Sequence, residues 1–133
     1  MPRMKTLVLV EDNQDNADLI RDLLGGEYRL VIFSDGPSAL AALAQEKASA
    51  PDLFLIDISL PGMDGTSLLG EVRVQEHLRE IPAIALTAHA MKADRENLMA
   101  AGFNDYVSKP ITEERLLLET IQAHLSEPFK VAA

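Results

Sequence analysis

The chain contains no cysteine among its 133 residues. Disulfide bonds, thiolate metal sites and cysteine nucleophiles are therefore excluded. No apolar run is long enough to cross a bilayer, and the run that follows Arg3 and Lys5 is too short for the apolar region of a signal peptide. No basic patch stands out, and the net charge of −9 argues against a surface that binds nucleic acid. We therefore expect a soluble cytoplasmic protein that binds neither nucleic acid nor membranes.

The composition that remains is that of an ordinary soluble globular protein. Apolar residues make up 47% of the chain and charged residues 25%. The length suits one domain with a proper core and is too short for two ordinary domains. The sequence has no internal repeat, no low-complexity run and no obvious linker. It therefore predicts a single folded domain.

Five short apolar segments recur along the chain and predict strands. Most are apolar on consecutive residues, which is typical of strands that are buried on both faces of a sheet. The predicted strands are Leu7–Val10, Leu30–Phe33, Leu53–Ile56, Ala83–Leu86 and Tyr106–Val107.

Segments with helical spacing of apolar residues lie between and after these strands. Gly25 and Gly26 end the first predicted helix, and Asp35-Gly36-Pro37 starts the second, because proline suits a first helical position. The five apolar stripes are Ile20, Leu23 and Leu24; Leu40, Leu43 and Ala44; Leu68, Leu69 and Val72; Leu98 and Met99; and Leu116, Leu117 and Ile121. Five strand–helix units with short connections predict a doubly wound α/β domain with a parallel sheet.

Two adjacent acids, Glu11 and Asp12, stand where the first predicted strand ends. Repulsion between two unit charges ~4 Å apart is about 4 kcal/mol at an effective dielectric constant near 20. Partial burial makes ionisation still less favourable. The pair therefore indicates that a cation belongs at this position.

Other polar side chains follow the remaining strands of the predicted sheet. Asp57 ends the third strand, Thr87 ends the fourth, and Lys109 follows the fifth. Ligands of such sheets bind beyond the carboxyl ends of the strands, where Glu11 and Asp12 also lie. A cluster of carboxylates suits Mg²⁺, which prefers hard oxygen ligands. The sequence therefore predicts a magnesium site, with Lys109 as a second positive group.

Four motifs carry a family resemblance. The segments VEDN, LIDISLPGMDG, ALTA and YVSKP, in this order and spacing, resemble the receiver domain of bacterial two-component response regulators. The match runs from about Lys5 to Leu125, and the stretch AHAMKADRENLMAAGFNDYVSKPI is similar to stand-alone receivers and to those of hybrid histidine kinases. The resemblance implies a flavodoxin-like sheet of order 2-1-3-4-5. It also implies an aspartate that a histidine kinase or a phosphotransfer protein phosphorylates, with Mg²⁺ (or Mn²⁺) as cofactor.

The resemblance assigns the residues of the acidic cluster to roles. Asp57 corresponds to the phosphoacceptor. Asp12 and Asp57 would bind the metal directly, together with the backbone carbonyl of Ser59, and Glu11 would act through a water. Thr87 corresponds to the hydroxyl that bonds a phosphoryl oxygen after transfer.

The last strand and its surroundings carry the remaining assignments. Lys109 would pair with the phosphate, and the resemblance favours a cis peptide bond between Lys109 and Pro110, although only ~5–6% of such bonds are cis in folded proteins. Tyr106 corresponds to an aromatic that changes rotamer when the threonine moves. His89, two residues after Thr87, is a hypothesis for a residue that tunes the lifetime of the phosphorylated form.

Each of these residues also has an ordinary structural interpretation. Asp12 or Asn13 suits the N-cap of the first helix. Thr87 is a common strand residue, Lys109 is a common surface residue, and Tyr106 suits the edge of a core.

Other classes of protein fit the sequence less well. A flavodoxin that binds FMN needs a hydroxyl- or glycine-rich loop after the first strand, where this chain has EDNQDN. A haloacid dehalogenase-type phosphatase needs D-x-D at the same place, which Glu11-Asp12-Asn13 does not supply. A P-loop protein is excluded because the chain has no P-loop motif. The remaining alternative is a receiver-shaped interaction module that no longer accepts phosphate.

We therefore expect a receiver domain at residues 1–126 and a short tail at 127–133, with no output domain. The expected function is a signalling switch that takes a phosphoryl group on Asp57 and later loses it to water. Such a protein modifies only itself and is not an enzyme with an independent substrate. Its expected partners are a histidine kinase or phosphotransfer protein and a downstream protein target, and we expect a monomer or weak dimer.

Overall fold

Five strands in the described part of the chain form one parallel sheet. The computed structural model describes residues 4–44, 50–88, 91–112 and 114–125. The sheet order is β2-β1-β3-β4-β5, so the predicted order and fold class are confirmed. The strands are β1 (Thr6–Val10), β2 (Arg29–Phe33), β3 (Leu53–Asp57), β4 (Ala83–Thr87) and β5 (Asp105–Ser108).

The helices cover both faces of the sheet. They are α1 (Gln14–Leu24), α2 (Gly36–Leu43), α3 (Gly65–Val74), α4 (Lys92–Ala100) and α5 (Glu114–Leu125), with a 3-10 turn at Glu76–Leu78. Alternate residues of β1 point to opposite cores. Val8 and Val10 pack in the same cluster as residues of α2, α3 and α4, and Leu7 and Leu9 pack with residues of α1 and α5. No helix in the described ranges is long and apolar enough to cross a membrane.

Short polar side chains begin three of the helices. The Asn13 side chain accepts a hydrogen bond from the Asn16 backbone N–H at 2.9 Å and caps α1. Asp35 caps α2 and Asp64 caps α3 in the same way. The helix-cap interpretation, which the sequence left open for Asp12 or Asn13, therefore applies to Asn13 and not to Asp12.

Three details differ from the sequence prediction. Met99 and Leu116, which the apolar stripes placed in the core, are 44% and 49% exposed. The strand β2 lies at the sheet edge and is only partly buried, with Val31 37% exposed. Gly36 is the first residue of α2, so Pro37 is the second and not the first. Spacing along one helix cannot show whether a neighbouring element covers its whole apolar stripe.

Arg73 joins α3 to the segments that precede β4 and β5. Its guanidinium donates to the backbone carbonyls of Leu78, Arg79, Ile81 and Gly102 and to the Asn104 side chain, at 2.6–3.4 Å. Gly102 has a φ of 111°, which favours glycine at the turn after α4. These contacts fix the end of α4 and the start of β5. They lie at the end of the sheet opposite the carboxyl ends of the strands.

Candidate functional site

Three carboxyl groups converge at the carboxyl ends of β1 and β3. Glu11, Asp12 and Asp57 each offer an oxygen atom, and these atoms lie within 4.8 Å of one another. Glu11 and Asp57 are each 2% exposed, whereas Asp12 lies at the surface. Parallel strands that end at the same edge bring these groups together, as the sequence predicted.

Lys109 supplies a positive charge to this cluster. Its Nζ atom lies 2.9 Å from Asp57 Oδ2 and 3.4 Å from Glu11 Oε1. The Lys109 side chain is 19% exposed, so both ion pairs are partly screened from water. The peptide bond between Lys109 and Pro110 is cis, the isomer that the resemblance favours.

The backbone also holds the two buried carboxylates. Asp57 Oδ1 accepts a hydrogen bond from the Ser59 backbone N–H at 3.0 Å. Glu11 accepts one from the Asn13 backbone N–H at 3.1 Å. Each buried acid therefore has a fixed orientation before any ligand arrives.

The charges in the cluster act on one another. Burial raises the pKa of Glu11, and the adjacent Asp57 carboxyl group raises it further, while the Asn13 N–H and Lys109 oppose these effects. Burial alone would lower the pKa of Lys109, but Asp57 and Glu11 outweigh it and raise that pKa. Lys109 therefore stays protonated, and Glu11 remains an acid that is costly to ionise without a further cation.

Thr87 and Tyr106 lie on neighbouring strands and on the same face of the sheet. Thr87 ends β4, is 4% exposed, and its carbonyl accepts a hydrogen bond from the Lys109 backbone N–H at 2.8 Å. Tyr106 is the register partner of Ala85, two residues before Thr87. Because side chains two residues apart share a face, Ala85, Thr87 and Tyr106 all point the same way. The Tyr106 hydroxyl lies beside Arg95 on α4.

Gly65 is a site residue that the sequence analysis missed. A β-carbon at this position would lie 2.5 Å from the Asp57 carbonyl oxygen and 2.9 Å from the Ile58 Cα atom. The Gly65 backbone N–H also donates to the Ile58 carbonyl at 2.9 Å. The sequence indicated only a turn here. Its one signal was the glycine at the start of a helix just after LIDISLPGMD.

Ser59 and His89 are the remaining residues of the predicted site. The Ser59 backbone N–H contacts Asp57, and the role of the Ser59 carbonyl as a metal ligand stays a prediction. His89 lies outside the described residues.

The donor set fits a divalent cation. Lys109 contacts Glu11 and Asp57, and a further positive charge at this place would offset the burial and the repulsion that raise the pKa of Glu11. Carboxylate oxygens are the ligands that Mg²⁺ and Mn²⁺ prefer.

Comparisons with known proteins agree with this geometry. A family model for the response regulator receiver domain matches residues 7–121. The chain belongs to this family. It is therefore a component of two-component signalling, and the flavodoxin and phosphatase alternatives no longer apply.

Individual relatives cover nearly the whole chain. The polar-differentiation response regulator DivK of Brucella ovis is 40% identical over 124 residues, which are 92% of this chain and 98% of that protein. The receiver domain of the sensor histidine kinase PA1611 from Pseudomonas aeruginosa, whose structure has a magnesium ion in the active-site cleft, is 36% identical. Its TM-score is 0.83, and the match covers 94% of this chain and 100% of that one.

A manganese-bound form of the response regulator Rcp1 is also similar. It is 28% identical with a TM-score of 0.77, and the match covers 97% of this chain and 99% of that chain. Both similar structures therefore contain a divalent metal of the kind that the acidic cluster suits.

Proposed function

We propose that this receiver domain is a magnesium-dependent phosphoryl acceptor, with Asp57 as the acceptor and a phosphohistidine of a partner protein as the donor. The observation that supports this most strongly is the environment of the Asp57 carboxylate. It is buried at the end of β3, oriented by the Ser59 N–H, and contacted by Lys109 at 2.9 Å. It also faces two further acids.

The proposed reaction needs a nucleophile and groups that stabilise the charge on the phosphoryl oxygens. A carboxylate oxygen of Asp57 attacks the phosphorus of the phosphohistidine, the P–N bond breaks, and the imidazole leaves with the electron pair. Lys109 pairs with a phosphoryl oxygen. The Thr87 hydroxyl donates a hydrogen bond to another. Attack by water on the aspartyl phosphate later releases inorganic phosphate and restores the carboxylate.

The acidic residues would hold the metal. Asp12 and Asp57 are the proposed direct ligands with the Ser59 carbonyl, and Glu11 acts through a water. When bound, Mg²⁺ supplies positive charge that neutralises the carboxylates and the phosphoryl oxygens. The chain changes only its own phosphorylation state, so we do not propose an independent substrate.

The proposed output surface lies on α4, β5 and α5. Met91, Met99 and Leu116 are 75%, 44% and 49% exposed, and methionine side chains adapt readily to a partner. Movement of the Thr87 hydroxyl towards the phosphoryl group would open space on the sheet face that it shares with Tyr106. Rotation of Tyr106 into that space would change this surface, which a downstream protein would recognise.

Labelling tests the acceptor. Acetyl phosphate or a phosphorylated histidine kinase should label the wild-type chain only when Mg²⁺ or Mn²⁺ is present. Asp57→Asn should abolish labelling, whereas Asp22→Asn, which changes an exposed aspartate of α1, should not. Labelling that survives in Asp57→Asn would contradict the proposal. Wild-type protein that binds Mg²⁺ and beryllofluoride but is never labelled would also contradict it.

A further inference from the structure

Arg95 and Tyr106 contact each other across a groove between α4 and β5. The Arg95 Nη1 atom lies 3.5 Å from the Tyr106 hydroxyl oxygen, and the Arg95 Cζ atom lies 6.0 Å from the centre of the tyrosine ring. These distances suit a cation–π contact together with a weak hydrogen bond from the guanidinium to the tyrosine hydroxyl oxygen. Arg95, Glu96, Met99 and Tyr106 line a groove of about 480 Å³.

The two side chains differ in their freedom to move. Tyr106 is partly buried and packs against the core cluster on its face of the sheet. Arg95 is exposed. Within the described residues, no carboxylate lies within salt-bridge distance of Arg95. Among the described residues, Tyr106 is therefore a partner of the Arg95 guanidinium, and their contact favours the present position of the ring.

In the proposed switch the Tyr106 ring rotates towards Thr87. The register partner of Tyr106, Ala85, carries only a methyl group, and the next side chain on that face of β4 is Thr87. A ring that rotates towards Thr87 moves away from Arg95. The observed contact with Arg95 and the proposed position beside Thr87 are therefore alternatives for the Tyr106 ring.

We propose that Arg95 is a positioning residue that holds Tyr106 at the surface and so opposes the switched state of the receiver. This inference rests on the proposed function, because it concerns the tyrosine of the same switch. Phosphorylation at Asp57 has to separate Arg95 from Tyr106. That separation frees the guanidinium and removes the tyrosine wall of the groove, so the downstream partner encounters a different charge and shape.

Linkage makes the proposal measurable. A contact made only in the resting state shifts the equilibrium between the two states towards the resting state. The apparent affinity of a ligand that binds the switched state falls by the same factor as this equilibrium constant. An exposed cation–π contact stabilises by ~0.5–1 kcal/mol. We therefore expect Arg95→Met to raise the apparent affinity for beryllofluoride, at saturating Mg²⁺, by about two- to fivefold.

The experiment uses the two tyrosines of the chain, Tyr28 and Tyr106. Selective ¹³C labelling of tyrosine rings gives signals from these two residues only, and Tyr28→Phe assigns them. Arg95→Met should move the Tyr106 signal towards its beryllofluoride-bound position before any ligand is added. Arg95→Lys should restore most of the wild-type behaviour, because an ammonium group also binds the face of an aromatic ring.

Two controls separate position from charge. Arg79→Met removes the same charge from an exposed arginine that precedes β4, at the sheet end opposite the acids, and should change neither the ring signal nor the affinity. In a Tyr106→Leu background, Arg95→Met should have no further effect on beryllofluoride affinity.

The outcomes distinguish this proposal from the proposed function. If Arg95→Met leaves the Tyr106 signal and the affinity unchanged while beryllofluoride still moves the Tyr106 signal, the role of Arg95 is wrong and the switch stands. If Arg79→Met reproduces the effect, the cause is net charge and the proposal is also wrong. If beryllofluoride binds without moving the Tyr106 signal in the wild type, both the role of Arg95 and the tyrosine switch are overturned.

Discussion

Lys109 Nζ and Asp57 Oδ2 lie 2.9 Å apart although 52 positions separate the two residues in the sequence. The same ammonium group lies 3.4 Å from Glu11, which is buried at the end of another strand. One cation therefore offsets part of the negative charge of two buried acids. The negative charge that remains suits the metal ion that we propose for this site.

This relationship predicts a loss of stability in Lys109→Met. The substitution leaves Glu11 and Asp57 buried without their ammonium partner, and removing one partner of a buried pair costs about 3 kcal/mol or more. Urea unfolding in EDTA should show this loss, and saturating Mg²⁺ should reduce it, because the metal supplies positive charge. Lys5→Met, at an exposed lysine, should change stability by less than ~0.5 kcal/mol. Equal unfolding midpoints for Lys109→Met and wild type in EDTA would show that the ion pairs of Lys109 do not stabilise the fold.

Asp12 and Asn13 are adjacent, but substitutions of them should have opposite effects on stability and on Mg²⁺ affinity. Asp12→Asn removes a proposed metal ligand from the surface of the cluster and relieves repulsion. Mg²⁺ affinity should fall by at least ~10- to 100-fold, the loss seen when even outer partners of metal ligands are removed. The thermal midpoint in EDTA should rise.

Asn13→Ala is the matched comparison for Asp12→Asn. It removes the cap of α1, which should cost ~0.5–2 kcal/mol of stability while Mg²⁺ affinity is kept. Titration calorimetry and thermal melts check both variants. A variant of Asp12 that melts lower and keeps full metal affinity would show that the helix start, not the metal, requires this acid.

The close approach of Gly65 to the Asp57 backbone predicts a steric effect on the proposed acceptor. A β-carbon at Gly65 meets the backbone of Asp57 and Ile58, so Gly65→Ala has to displace α3 or the end of β3. We expect a loss of ~1–3 kcal/mol, as for overpacking in a core, together with slower phosphorylation by acetyl phosphate.

Gly70→Ala in the same helix is the control for Gly65→Ala. It meets no atom within 4 Å and should stabilise the protein by up to ~1 kcal/mol, because alanine favours helices over glycine. Unfolding midpoints and labelling rates check both. If the two alanine variants behave alike, the close approach of α3 to Asp57 has no consequence.

Thr87 predicts a separation of phosphorylation from its distant effects. Thr87→Ala removes the hydroxyl but leaves Asp57, Lys109 and the proposed metal site in place, so labelling should remain measurable. Beryllofluoride should then perturb amide NMR signals around Asp57 but no longer those of α4, β5 and α5, including Arg95, Glu96, Asn97 and Tyr106. Thr87→Ser keeps the hydroxyl and should keep the distant shifts. If those shifts survive in Thr87→Ala, the signal does not pass from the threonine to the tyrosine.

The elements of the fold were largely predictable from local patterns. The apolar segments and the helical stripes placed all five strands and all five helices of the described chain within a few residues. The burial of individual stripe residues was less predictable. Met99 and Leu116 match their stripes in spacing but are exposed, because no element among the described residues covers that side of α4 and α5.

The sequence by itself determined which chemical groups stand at the strand ends, because strand ends follow from local apolar patterns and parallel strands end at one edge. Glu11, Asp12, Asp57, Thr87 and Lys109 were all predicted in this way, and the motifs around them indicated the family. Only the tertiary structure decided which side chains and backbone atoms from different elements are in contact. The contact of Lys109 with both Asp57 and Glu11, the approach of Gly65 to the Asp57 backbone, and the pairing of Arg95 with Tyr106 each join separate elements. Their distances depend on how helices and strands pack against one another, which no local pattern contains.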